Sequence, residues 1–277
     1  MATHVLIPGK TDLSAAASYE SATAPASWSN GDKLHILEGS QTLTNLSAIS
    51  INLNEIYVGP EARVVCQGLV VNVTNGTTPR VRIYGSGGEF WHTGNSTQTE
   101  VQGTMAFKQV SGTVTNLFGD SASIYIAGAA DVPTIEAMNC GIIGEYHASN
   151  FFDVMHLVSC RLDTARSLVL CDASGSTRII TRGSANISDG ASGGDLRMRD
   201  DRCIFEPLNA PTVDKLTGYA GQLLLNRATG DFTVATGRIA SRFRYTPYFP
   251  KGTMTITTLQ KLGAPGSAVG GGIGGAQ

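Results

Sequence analysis

Five acidic residues, Glu136, Glu145, Asp153, Asp163 and Asp172, run through the middle of the chain on what read as successive short strands and turns. Glycosidic cleavage needs one protonated carboxylic acid and one carboxylate at a separation that sets the stereochemistry. If the strands stack with a period near 20 residues, Glu145 and Asp163 are the pair brought closest. The opposing reading is that sparse acids decorate turns and solvated faces, and no Asp-Asp or Glu-x-Asp cluster occurs in this stretch to argue otherwise. Asp200-Asp201 is an acidic doublet, but Arg199 and Arg202 flank it. Interleaved opposite charges point to a surface ion-pair network rather than a proton-sharing dyad.

His147, His156, Cys160 and Cys171 supply enough nitrogen and sulfur for a tetrahedral zinc site, with His156 and Cys160 on one strand face. Against it, Cys140, Cys160, Cys171 and Cys203 each sit among apolar residues, where a free thiol behaves as a small hydrophobe. No CxxC spacing occurs. Gly85-Ser86-Gly87-Gly88 follows a strand, but the next residues, Glu89-Phe90-Trp91-His92, bring neither a phosphate-binding Lys nor a helix start. Sequons such as Asn72-Val73-Thr74 are by-products of Asn- and Thr-rich strands. The residues themselves therefore assign no catalytic, cofactor-binding or metal-ligating role. Trp91, Tyr84 and Tyr125 are offered as sugar-stacking platforms, with strand-surface packing as the competing role.

The elements that would position these residues are short alternating strands. Leu34–Leu37, Ile49–Leu53, Leu69–Val73, Val81–Tyr84, Ser123–Ile126, Met138–Ile142, Leu157–Cys160, Leu168–Cys171 and Arg178–Ile180 all alternate apolar and polar residues between Gly, Asn, Asp and Ser. Cys140 and Cys160 lie 20 residues apart in similar contexts, and Tyr84 and Tyr125 lie about twice that apart. A period near 20 is one turn of a solenoid. The expected fold is all-β, a right-handed parallel β-helix with a C-terminal β module; a β-sandwich or jelly roll is the alternative.

Four segments follow. Residues 1–32 read as an N-terminal arm rich in small residues, with a short helix over 11–17 capped by Asp12. Residues 33–211 form the solenoid, and 212–262 the C-terminal β module. Residues 263–277 have the composition of a Gly-rich tail, one that a neighbouring chain would hold in place. The aromatic run Phe243-Arg244-Tyr245-Thr246-Pro247-Tyr248-Phe249 lies within the module and has the residue types of a subunit contact. The expected interaction residues are Trp28, Phe243, Arg244, Tyr245, Tyr248 and Phe249.

The 277 residues suffice for one large domain with an appendage. Charged residues make up only 15%, and the net charge of -2 gives no clustered basic face for nucleic acid. No stretch reaches the length of an apolar membrane span. No charged and then apolar leader is visible at the start. Five cysteines without paired close spacings fit synthesis in a reducing cytoplasm.

The small-residue arm leads through Trp28-Ser29-Asn30-Gly31-Asp32-Lys33-Leu34-His35-Ile36 into Gly-, Ser-, Thr- and Asn-rich coils, an aromatic module and a Gly-rich end. This combination resembles the β-solenoid proteins of tailed-bacteriophage virions: capsid decoration (cement) proteins, head fibres and tailspikes. The resemblance spans residues 25–260 in style and composition. It implies a homotrimer made in the bacterial cytoplasm and built into a virion, touching the major capsid protein or other virion proteins. A structural, non-enzymatic role is expected, with a polysaccharide-binding or polysaccharide-degrading tailspike as the alternative and a host glycan as its partner.

Overall fold

The computed structural model describes residues 2–262 other than 13, 30, 39, 44–54, 60–61, 67–79, 86, 94, 148, 184, 189–192, 247–248 and 250. The strands expected at 49–53 and 69–73, the Asn72 sequon, Tyr248 and the tail 263–277 lie outside the described residues.

The chain is a parallel β-solenoid of about nine turns. Each turn lays one strand on a first face, bends sharply, lays a second strand on a second face, and returns through a wider corner. The first face carries, among others, Lys33–Ile36, Glu55–Val58, Arg80–Gly85, Ser96–Gln102, Thr134–Met138, Phe152–Val158, Leu168–Ser174 and Asp195–Met198. The second carries Ser40–Leu43, Arg63–Cys66, Glu89–Thr93, Ser123–Ile126, Gly141–Gly144, Arg161–Thr164, Arg178–Thr181 and Ile204–Pro207. Ala106–Asp120 is long enough to serve both faces in succession. Pairing between these strands is parallel throughout, which excludes the jelly roll. On the first face Glu100, Phe118, Glu136, His156 and Asp172 stand in register, giving steps of 18, 18, 20 and 16 residues.

Side chains alternate in and out because strand periodicity is two. The inward positions of the second face stack as Phe90, Phe107, Ile124, Ile142, Leu162, Ile179 and Phe205, all buried. The inward row of the first face alternates in size through Val101, Gly119, Ala137, Leu157 and Ala173. The sharp corner sets the geometry. Ser121, Asn139 and Ser159 adopt positive φ (60°, 55° and 55°), a left-handed conformation that short polar side chains tolerate better than branched ones. The next residue turns inward, so Met105, Ala122, Cys140, Cys160, Thr177 and Cys203 form a buried corner column. Backbone bonds tie it together, as in Arg161 N–H to the Cys140 carbonyl (2.8 Å) and Arg178 N–H to the Cys160 carbonyl (2.8 Å). The 20-residue offset between Cys140 and Cys160 is one such step. Tyr84 and Tyr125 are not related in this way: Tyr84 is on the first face and Tyr125 on the second.

The N-terminal segment does not extend away as an arm. Thr3–Val5 pairs in parallel with Lys33–His35 and adds a first strand to the stack. His4 stacks on Trp28 with ring centres 4.0 Å apart, and Tyr19 meets the same indole edge-on at 4.8 Å. His4 Nε2 lies 3.1 Å from Asp32 Oδ2, and Asp32 also accepts the backbone N–H groups of Ala2 and Ser29. These contacts close the N-terminal end of the core. No helix forms over 11–17. Asp12 instead accepts from the Ser14 backbone and hydroxyl, and a single 3₁₀ turn follows at Ala16–Ser18. Asx turns of this kind compete with helix initiation.

The C-terminal β module consists of three long strands, Thr212–Leu223, Phe232–Tyr245 and Met254–Leu262, which continue the stack in parallel.

The corner conformation generates one expectation. Replacing Asn139 by Val forces a branched residue into the left-handed region and should cost about 1–2 kcal/mol, whereas Gly should change stability by less than about 0.5 kcal/mol; urea unfolding of the two variants checks this. His92 generates another. It is buried between Phe90 and Phe107, with Nδ1 2.7 Å from Gln109 Oε1. Burial holds its imidazole below the ordinary histidine pKa, against a smaller upward pull from Gln109. The folded state therefore binds its proton less readily than the unfolded chain, so this contribution is full above about pH 6.5 and is lost as pH falls. His92→Gln should flatten the decline in melting temperature between pH 7 and 5; an unchanged slope would show that His92 is not its source.

Candidate interaction surfaces

The outer surfaces of the two faces differ in chemistry. Along the first face the outward register reads Lys33, Glu55, Arg82, Glu100, Phe118, Glu136, His156, Asp172 and Arg197, a charged and polar ladder. On the second face one outward row reads Glu89, Ala106, Ser123, Gly141 and Arg161. The parallel row two residues on reads Trp91, Lys108, Tyr125, Ile143 and Asp163. The first row is low because its three central side chains are the smallest available, while the second stands up as a wall. Between them lies a shallow groove of about 390 Å³.

The wall is ordered by its cation. Lys108 Nζ sits 4.2 Å from the Trp91 ring centre and 4.3 Å from that of Tyr125, so each ring turns a face to the ammonium. Trp91 donates its indole N–H to Glu89. Of the three proposed stacking platforms, then, Tyr84 is on another face, and Trp91 and Tyr125 each spend a ring face on Lys108. Lys108, Ile143 and Arg161, which complete the groove with them, are not apparent from the sequence, because they lie 17 to 20 residues apart and match no motif.

The carboxylates proposed for catalysis are held separately. Asp163 takes both Nε and Nη2 of Arg182, the latter at 2.6 Å. Asp172 takes Arg199 in the same two-pronged way, at 2.5 Å. Glu145 accepts the Gly128 N–H at 3.0 Å. Asp163 pairs in register with Ile143, two residues before Glu145, so the two acids do not stand opposite each other. Glu136 lies on the first face between Phe118 and His156. Burial, helped by nearby Asp131, holds the Asp153 carboxyl above the usual carboxylate range. It lies on a first-face strand, while the groove is on the second. Asp201 pairs with Arg242 and Asp200 accepts the Gly175 N–H, so the doublet is tied to neighbouring turns rather than to Arg199 or Arg202.

His156 points outward from the first face while Cys160 and Cys171 are buried, so the zinc candidates do not converge. Among the described residues no group of three His, Cys, Asp or Glu side chains is arranged to hold an ion. Burial pushes the Cys171 thiol well above its ordinary pKa, and the Cys160 sulfur together with burial does the same to Cys140.

Two buried charges lacked any sequence signal. Arg166 is fully buried and donates to three backbone carbonyls, those of Glu145 (2.9 Å), Ala127 (2.5 Å) and Ala130 (2.7 Å), with its guanidinium 5.4 Å from the Phe152 ring centre. It ties three consecutive wide corners together. Glu206, only 1% exposed, is shared by Arg178 and Arg227.

At the C-terminal end Phe243 and Phe249 are half-buried against the core, while Arg244 and Tyr245 are exposed. Trp28, at the opposite end, packs within its own chain. The last strand, Met254–Leu262, has one partner among the described residues and is exposed along most of its length.

Compared with family models, curated proteins and solved structures, the chain matches none of them. Fold and surface together define it as a parallel β-solenoid with one charged face and one grooved face.

The ion pairs separate by burial. Removing Arg178 and Arg227 together leaves Glu206 buried without a counter-charge and should cost about 3–5 kcal/mol. Arg182→Ala, at the more exposed pair with Asp163, should cost less than about 1 kcal/mol. Chemical denaturation of both variants measures the contrast.

Proposed function

We propose that this chain is a non-enzymatic structural protein of a tailed-phage virion, a capsid decoration (cement) protein that assembles as a homotrimer and reinforces the shell through its terminal segments. The observation that carries the assembly part is the inequality of the two ends. A solenoid needs a cap at each end, because an uncovered terminal strand exposes both core side chains and a row of backbone donors and acceptors. The N-terminal end has such a cap in His4, Tyr19 and Trp28. The C-terminal strand leaves Leu259 41% exposed and Met254 and Ile256 only half-covered. Copies meeting at this end would cover it, and the exposed Arg244 and Tyr245 beside it are residue types that interfaces favour. The virion setting and the threefold stoichiometry come from the resemblance in the sequence. Pairing of Asp163 and Asp172 with arginines supports the non-enzymatic part, since a catalytic carboxylate must be free to exchange a proton or meet an anomeric carbon.

Light scattering on the size-exclusion peak of the full-length chain tests this. A trimer is expected, and Ile256→Lys with Leu259→Lys should convert it to monomer while leaving the circular dichroism of the solenoid intact. A wild-type monomer at all concentrations would overturn the assembly reading. Cleavage of host polysaccharide by the purified chain would overturn the non-enzymatic one.

A further inference from the structure

We propose that the groove on the second face is a contact between two copies of this chain, related by a twofold axis normal to the face and centred on Ser123. The inference rests on the assembly reading above and adds a second surface, distinct from the C-terminal end.

Gly141 is the first reason. It lies within a strand, its φ is not positive, and a Cβ built on it would meet nothing within 4 Å. Neither backbone conformation nor internal packing asks for glycine there. By contrast, a Cβ at Gly119 would come within 2.7 Å of the Ile124 side chain. A glycine inside a strand weakens it, and one without an internal cause marks a place where something approaches from outside.

The order of the low row is the second. One residue per turn, it reads Glu89, Ala106, Ser123, Gly141, Arg161. Ser123 is central, with a small residue on each side and opposite charges two turns away in each direction. Stacked turns rise about 4.8 Å, so the two charges stand about 19 Å apart. A twofold axis through Ser123 reverses the row, setting Glu89 of each copy against Arg161 of the other and Ala106 against Gly141. Such a patch is self-complementary, the condition for an isologous contact. A threefold axis parallel to the solenoid would instead place each charge near its own copies.

Shape and charge agree. The wall of Lys108, Tyr125 and Ile143 stands on one side of the low row only, so the twofold places each wall along the opposite side of its partner's row. Arg161 has no side-chain hydrogen bond or ion pair among the described residues, whereas its neighbour in the row, Arg178, is bound to Glu206. Ile143, at 51% exposure, and Tyr146, at 58%, leave apolar surface beside the groove for a partner to cover. The first face, with its unbroken charged ladder, offers nothing comparable. A contact spanning five short strands is at the small end of specific interfaces, so the pairing should depend on concentration.

Light scattering of the full-length chain over a concentration series tests the pairing. An even number of chains is expected: two, or six where the C-terminal end also forms trimers. Arg161→Glu should halve the mass, and adding Glu89→Arg should restore it. Gly141→Tyr, whose side chain points into open space and suits a strand, should also halve the mass with the melting temperature unchanged. A wild-type mass that stays at one or three chains overturns the pairing, as does a mass unmoved by both Arg161→Glu and Gly141→Tyr. Failure of the charge swap to restore the mass overturns the twofold register. A trimer unaffected by these changes would leave the assembly reading standing without this contact.

Discussion

Every turn of this molecule takes its backbone hydrogen bonds from the turn before and the turn after. Everything else is subordinate to that constraint. Strand direction, corner position and inward side chains must repeat from one turn to the next, or the ladder breaks. Repetition need not be identity: turns of 16 to 20 residues fit the same stack because the wide corner absorbs the difference. The sharp corner absorbs none. There a left-handed residue is followed by a small inward one, and the pattern holds from Ser121-Ala122 through Asn139-Cys140 to Ser159-Cys160. The buried thiols therefore serve as small apolar fillers that hydrogen-bond along the column, Cys140 N–H lying 3.4 Å from Cys160 Sγ.

The same repetition decides what charges can do. A charged residue on one turn always has register neighbours on the adjacent turns, and the chain mostly answers acid with base: Asp163 with Arg182, Asp172 with Arg199, Glu206 with Arg178 and Arg227. Such pairs tie turns together across 19 to 28 residues of sequence. Where small residues replace charges on successive turns, the surface sinks, and the groove beside Lys108 is the outcome. Being one-dimensional, the stack also has two ends, and the sequence treats them differently.

Much of the fold was legible because a strand needs only alternation, and Ile124, Ile142, Leu162 and Ile179 supply it beside polar outward neighbours. The offset between Cys140 and Cys160 revealed the true period because both occupy the same corner. The likeness of Tyr84 and Tyr125 misled, since an aromatic among branched residues suits the outside of either face equally. The N-terminal segment was misread for a different reason. Its residues are small, and its order comes from His4, Tyr19 and Trp28 meeting across up to 24 residues of chain. The groove left still less trace. Ala106, Ser123 and Gly141 are unremarkable singly, and only stacking makes their smallness a surface feature.

The chain has two tryptophans, and their placement has a use. Trp28 sits in the N-terminal closure, stacked on His4; Trp91 sits in the groove wall against Lys108. Each indole lies within a few ångströms of a cationic or protonatable neighbour, and emission is sensitive to such charges. One fluorophore thus reports the loosening of the first turn and the other any occupancy of the second face. With either replaced by phenylalanine, the remaining signal belongs to one place, so fraying at the end and events in the middle become separable optical readings from an unlabelled protein.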